Sequence, residues 1–210
     1  RYLRTSRHPS AHLALDLPGG ADALDRFYEQ ADTFDDVYAA IVEHLVAAAV
    51  EHGHVLYAVP GSPLVLERTV DRLRADDRID LRVLPALSFL DVAWARLGVD
   101  PVSAGVRLVD GHRFATDGVG QRGPLLIAHT HADWVLSEIK IAVEEATGDE
   151  EVVILQGLGT PDEQVVTTTW NELDRTVTAD HLTCVYVPAL PTPIGDHYVR
   201  FHELARLVQR

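Results

Sequence analysis

Pro60-Gly61-Ser62-Pro63 separates an apolar run, Val55 to Val59, from a helical pattern that begins at about Leu64. In parallel α/β sheets, ligands sit at the carboxyl ends of strands, which is where this tetrapeptide falls. Gly61 permits a tight turn and close backbone approach. Ser62 offers a hydroxyl and a backbone donor, and Pro63 is placed to open the helix that follows. The helix N-terminus would then favour a carboxylate or another anion. An ordinary strand-to-helix turn fits the same residues. A phosphate-cradling P-loop does not, because the further glycines and the lysine are missing.

Three other constellations follow. Pro85 to Ser88 joins a second apolar run to a second helix. If the two strands are neighbours, Ala86, Leu87 and Ser88 face the crevice that Gly61 faces. A buried turn with a capping serine is the alternative. His129-Thr130-His131 again ends a strand-like run. Two histidines at i, i+2 need further ligands to hold a metal, so no metal is expected, and lining a pocket is the reading favoured for His129 and Thr130. Glu138, Glu144, Glu145, Asp149, Glu150 and Glu151 could in principle hold magnesium, but they read better as a solvated helix end. Asp16 could edge a substrate cleft, as any surface aspartate could, so no catalytic residue is assigned.

The composition narrows the classes. The 210 residues carry 18 basic and 32 acidic side chains, a net charge of -14. Binding a nucleic-acid backbone needs a basic face, so no nucleic-acid partner is expected. Hydrophobic residues make up 47 %, enough for a core. No apolar run is long enough to span a membrane, and "RYLRTSRHPS" is not followed by the apolar stretch of a signal peptide. The single cysteine, Cys184, fits a reducing, cytoplasmic setting and a buried apolar role.

The elements that must position these residues alternate. A helix capped by Thr33, with Asp36 three residues on, carries Val37, Ile41, Leu45 and Ala48 on one face and stops at Gly53. Strand 55–59, a helix to about Ala75, the strand "IDLRVLP", a helix capped by Ser88 and closed by Gly98, and the strand "GVRLVDG" follow. This is the pattern of an α/β domain with a mainly parallel sheet. "GHRFATDGVGQRG", four of whose thirteen residues are glycine, reads as a connection. The pattern then restarts: "PLLIAH", the helix "ADWVLSEIKIAVEEATG" with Trp134, Ile141 and Ala142 near one side, "EVVILQGLG", a β-branched run with a helical tail, and "LTCVYVP". The expected organisation is an N-terminal α/β subdomain over 1–112, a connection over 113–122, a C-terminal α/β subdomain over 123–195, and a helical tail over 196–210.

The ordered set "YLRTSRHPS", "VLYAVPGSPLVLERTVDRL", "IDLRVLPALSFLDVAWARLGVDP", "PLLIAHTHADWVLSEIKIAVEE", "EVVILQGLGTPDEQVVTTTWNELDR" and "LTCVYVPAL" resembles the tetrapyrrole methylase family over nearly the whole chain. It is most similar to the version fused ahead of a MazG-type nucleoside triphosphate pyrophosphohydrolase domain. The resemblance implies two α/β domains with S-adenosylmethionine in a cleft between them, a small-molecule methyl acceptor and a homodimer. It puts Pro60, Gly61, Ser62 and Pro63 beside the methionine part of the cofactor, with Ser62 where the family has an aspartate. Ala86, Leu87 and Ser88 match the next cofactor-lining turn, His129 and Thr130 the second domain's contact, Leu158 with Gly159 and Thr160 a later loop, and Pro188 and Ala189 the adenine side. The family opens with a strand and a glycine-proline-glycine loop, and "RYLRTSRHPS" matches the part after them. The tail resembles the lead-in to the hydrolase domain. The alternative implied is a non-catalytic ligand-sensing or scaffold domain, with hydrolysis outside this chain.

Overall fold

The computed structural model describes residues 1–121, 123–144 and 146–190. These form two compact units, one ending at Asp91 and one beginning at Val92. The expected tail over 196–210 lies outside the described residues.

The first unit is built on three short parallel strands, β1 (Tyr2–Leu3), β2 (Asp22–Ala23) and β3 (Tyr57–Ala58), in the order β2-β1-β3. Helices α1 (His12–Leu15), α2 (Asp25–Gln30), α3 (Phe34–His52) and α4 (Arg68–Arg74) complete it. The nineteen residues of α3 form its spine. Thr33 adopts extended backbone and its hydroxyl accepts from the Asp36 amide at 3.2 Å, and Gly53 ends the helix at φ +79. Val37, Ile41 and Leu45 are buried against Leu24 and Leu73. Replacing Thr33 with alanine orphans an amide at the helix start and should cost about 1 kcal/mol. A thermal denaturation midpoint equal to wild type would show that the cap contributes nothing.

Two expectations for this unit change. The helix expected from Leu64 begins at Arg68, so Pro63 does not open it. Residues 62–67 instead turn on their own bonds, with the Val65 amide donating to the Ser62 carbonyl at 3.2 Å. "IDLRVLP" forms no strand ladder among the described residues. Its side chains still alternate, Ile79, Leu81 and Val83 half-buried and Asp80, Arg82 and Leu84 exposed, as a strand's would. A ladder needs a neighbour at hydrogen-bonding distance, and none is in place.

Helix α5 (Phe89–Leu97) leads into the second unit. The Ser88 hydroxyl accepts from the Leu90 amide at 2.9 Å and the Asp91 carboxylate accepts from the Ser88 amide at 2.7 Å, the reciprocal cap that the sequence predicts. Beyond it come α6 (Pro101–Ala104), β4 (Arg107–Asp110), α7 (Phe114–Asp117), β5 (Leu125–Ala128), α8 (Asp133–Ala142), β6 (Glu151–Gln156), β7 (Gln164–Thr169) and β8 (Thr183–Val187). The sheet order is β4-β5-β8-β6-β7. Only β4 and β5 are parallel, and the other three pairings are antiparallel. The restarted pattern therefore does not build a second mainly parallel sheet. The connection from β6 to β7 is too short for a helical crossover. Leu125, Ile127, Val152, Ile154, Val185 and Val187 pack with Val135, Leu136 and Ile139 of α8. Of the three residues expected near one side of that helix, Trp134 and Ile141 are 53 % and 73 % exposed, while Ala142 packs against the core. Within the glycine-rich segment, Phe114 is buried and packs in this core. Cys184 is buried, and burial pushes its thiol up to about 12, in keeping with an inert apolar role.

Candidate functional site

Because β1, β2 and β3 are parallel, their carboxyl ends share one edge, where a ligand is expected. Pro60 to Pro63 leave that edge from β3. Gly61 sits at φ +69, in the left-handed region that side chains resist. A methyl group built on it would lie 3.6 Å from the Leu87 carbonyl and 3.9 Å from the Ser88 Cα. The two turns are thus neighbours, although β3 and residues 79–84 do not pair as adjacent strands among the described residues. Gly61, Pro63 and Ala86 line a groove of about 610 Å³ that continues between residues 53–59 and 78–84. Its walls include Val55, Tyr57, Val59, Ile79, Leu81 and Val83. The volume is within the roughly 300–1,000 Å³ of ligand pockets. Leu87 is 77 % exposed, Ser88 is buried, and the Ser62 hydroxyl accepts from the Leu64 amide at 3.3 Å. Pro60 lines a smaller cavity, about 290 Å³, with Thr5, His8 and Ser10.

In the second unit, β4 and β5 end side by side. His129 follows β5 at φ +59, a costly backbone state for a residue with a side chain. Its Nδ1 lies 3.1 Å from Asp110 Oδ2 at the end of β4. Asp110 also accepts from the His112 amide. The rings of His131 and Trp134 lie 5.1 and 5.8 Å from that of His112. The Thr130 hydroxyl, fully buried, donates to the Thr183 carbonyl at 2.8 Å. Leu158 lies between Gly157 and Gly159, both at positive φ, and the Gly157 amide donates to Leu182. His129, Thr130 and Leu158 therefore share one edge of the sheet. Pro188 and Ala189 do not: β8 runs antiparallel to β6 with Gln156 opposite Thr183, so they leave from the opposite edge. Of the acidic residues, Glu150 accepts from the Thr147 and Gly148 amides and closes a turn.

Sequence reasoning missed two pairs here, Asp110 with His129 and, in the first unit, Arg4 with Glu67. Neither has a local signal, since each joins residues far apart in the chain. Burial alone would raise the Asp110 carboxyl, but the His129 side chain and the His112 amide outweigh it and hold it below its ordinary value of 3.8. A depressed carboxyl stabilises the fold above its unfolded pKa, and that contribution is lost as pH falls through the folded value. The stability difference between wild type and Asp110→Asn should therefore shrink between about pH 5 and about pH 2. A difference that stays constant over that range in denaturant titrations would remove this account.

The family profile described as Tetrapyrrole (Corrin/Porphyrin) Methylases matches residues 3–174. The chain belongs to the tetrapyrrole methylase family. S-adenosylmethionine is the cofactor used by that family. Uncharacterized protein YabN of Bacillus subtilis (strain 168) is 33 % identical over 208 residues, covering 97 % of this chain but 41 % of YabN. The chain thus spans less than half the length of that relative. Among solved structures, the cobalamin biosynthetic enzyme cobalt precorrin-4 methyltransferase (CbiF) superposes with a TM-score of 0.63 at 15 % identity, over 89 % of this chain and 82 % of that one. Uroporphyrin-III C-methyltransferase from Thermus thermophilus, complexed with S-adenosylhomocysteine, does so at 0.51 and 15 %, over 80 % and 75 %. These likenesses establish the two-unit α/β fold. No helix among the described residues is long and apolar enough to cross a membrane.

Proposed function

We propose that this chain binds S-adenosylmethionine and transfers its methyl group to a small molecule. The observation that carries this is the meeting of Gly61 with Leu87 and Ser88 at the carboxyl edge of a parallel sheet, in a chain of this family. When bound, the cofactor supplies an electrophilic methyl group. Gly61 and Ala86 admit it close to the backbone, and Pro60 and Pro63 hold the turn rigid. Leu87 adds an apolar contact that helps exclude water, so that position and dryness supply most of the acceleration. The acceptor is left open, a tetrapyrrole-like molecule being the family's suggestion. Cytoplasmic location and a homodimer accompany this reading.

The amino end of the groove supports a further part of it. β3 is an edge strand, and residues 79–84, across the groove from it, join no ladder among the described residues. An opening strand of the kind the family has would fit between them and pair with both. Titrating S-adenosylhomocysteine calorimetrically into the chain, and into a version extended ahead of Arg1 by an apolar strand and a glycine-proline-glycine turn, tests both ideas. Binding that needs the extension assigns the groove to that strand. Binding in neither form overturns the methyltransferase reading.

One second reading has an observation behind it. The resemblance puts Ser62 where the family has an acid, and the match covers 41 % of YabN. A ligand-sensing or scaffold domain attached to a MazG-type hydrolase would bind the cofactor without turning over any acceptor. Methyl transfer to a member of a tetrapyrrole panel would exclude it.

A further inference from the structure

The loop after β3 is tethered at both ends by one residue. The Arg4 amide donates to the carbonyl of Ala58, the last residue of β3, at 2.9 Å. Its guanidinium donates from Nη1 to Glu67 Oε2 at 2.7 Å, and from Nε to the Tyr28 hydroxyl at 3.0 Å. Between Ala58 and Glu67 lie residues 59–66, the proline-glycine turn among them. Glu67 is only 4 % exposed, so its charge is paired inside the unit. Leu66, immediately before it, is held at φ +57. A bulky side chain resists that conformation, which persists only where the surroundings impose it. Here it turns Glu67 inward to meet Arg4.

The arrangement is a poor choice for stability alone. The second Glu67 oxygen, the Thr69 hydroxyl and the Tyr57 hydroxyl are buried without a well-aligned hydrogen-bond partner. Thr69 adjoins both of the others: its hydroxyl and amide lower the Glu67 carboxyl and its hydroxyl lowers the Tyr57 phenol, but not enough to offset burial. Burial is the largest influence on the Glu67 carboxyl and raises its pKa despite Arg4, while also raising the Tyr57 phenol. Apolar residues of the same volume would avoid these costs. Strain beside a buried, imperfectly hydrogen-bonded charge pair is retained at sites where a position matters more than stability.

We infer that Arg4 and Glu67 form a clasp that fixes the proline-glycine turn at the edge of the first sheet, making Glu67 a positioning residue for the cofactor. The cofactor part rests on the function proposed above; the clasp itself does not. The test uses wild type, Glu67→Gln, Tyr28→Phe and, as a control, Val46→Ala, which opens a cavity in α3 away from the turn. Amide exchange at Leu64 and Val65 is read against amides of α3, and S-adenosylhomocysteine affinity is measured on the form that binds it. Glu67→Gln should speed exchange at Leu64 and Val65 at least about tenfold over α3 and weaken the ligand about tenfold or more. Tyr28→Phe, the milder change should Glu67→Gln fail to fold, should shift both the same way by about threefold. Val46→Ala, which loosens α3 itself, should not raise exchange at the turn relative to α3 and should leave the affinity unchanged. Unchanged exchange at the turn overturns the clasp, and faster exchange with undiminished affinity overturns the positioning role. If wild type binds no ligand in either form, the proposed function fails, while the exchange ratio still decides whether the clasp exists.

Discussion

Gly61→Val is expected to abolish S-adenosylhomocysteine binding, a loss of at least about 100-fold, or about 2.8 kcal/mol, while leaving the fold intact. The argument has two parts. Gly61 stands at φ +69, where an L side chain costs about 1–2 kcal/mol and a β-branched one is a true outlier. Valine would therefore drive the turn out of its present path. If the turn held instead, the added carbons would start 3.6 Å from the Leu87 carbonyl and occupy the end of the groove that Gly61 and Ala86 share. Either way the approach of a ligand to the backbone is lost. Gly61→Ala separates the parts: its methyl group finds only ordinary contact, so it should cost about 1–2 kcal/mol of stability from backbone strain, with a smaller loss of affinity. Calorimetric titration on a binding-competent form, alongside thermal denaturation, checks both. Unchanged affinity in Gly61→Val would remove this turn from the cofactor site.

The largest loss of stability is expected from Trp170→Ala, about 3–5 kcal/mol. Trp170 is 2 % exposed and follows β7 in a short 3-10 turn. Its ring lies 6.3 Å from that of Phe114, and both belong to the core beneath α8. Its indole N–H donates to the Lys140 carbonyl at 3.2 Å. Lys140 is in the last turn of α8, whose carbonyls have no partner within the helix. Alanine would both open a cavity and orphan that carbonyl. Trp170→Phe keeps most of the volume and loses the bond, so it should cost about 1–2 kcal/mol. Urea unfolding followed by circular dichroism gives both values. A cost under about 1 kcal/mol for the alanine variant would mean that this part of the core is not packed as described.

The sequence by itself determined the features that depend on a few adjacent residues. Thr33 with Asp36, and Ser88 with Asp91, cap helices because the partners lie within one turn. The spacing of Val37, Ile41 and Leu45 named the buried face of α3. The glycine at 61 announced a tight turn at a strand end, and the order of the segments pointed to the family. What depends on direction or on distant partners was decided by the tertiary structure. Residues 79–84 have a strand's alternation, but a strand is completed by its neighbour. Pro188 and Ala189 part from His129 and Leu158 because β8 runs against β6, and nothing in its five buried residues states which way they will run. Asp110 meets His129 because β4 and β5 end side by side, and Arg4 meets Glu67 because the chain after β3 turns back to the end of β1. A buried charge is unfavourable alone and tolerable when paired, and its partner is chosen by the folded chain rather than by the residues beside it.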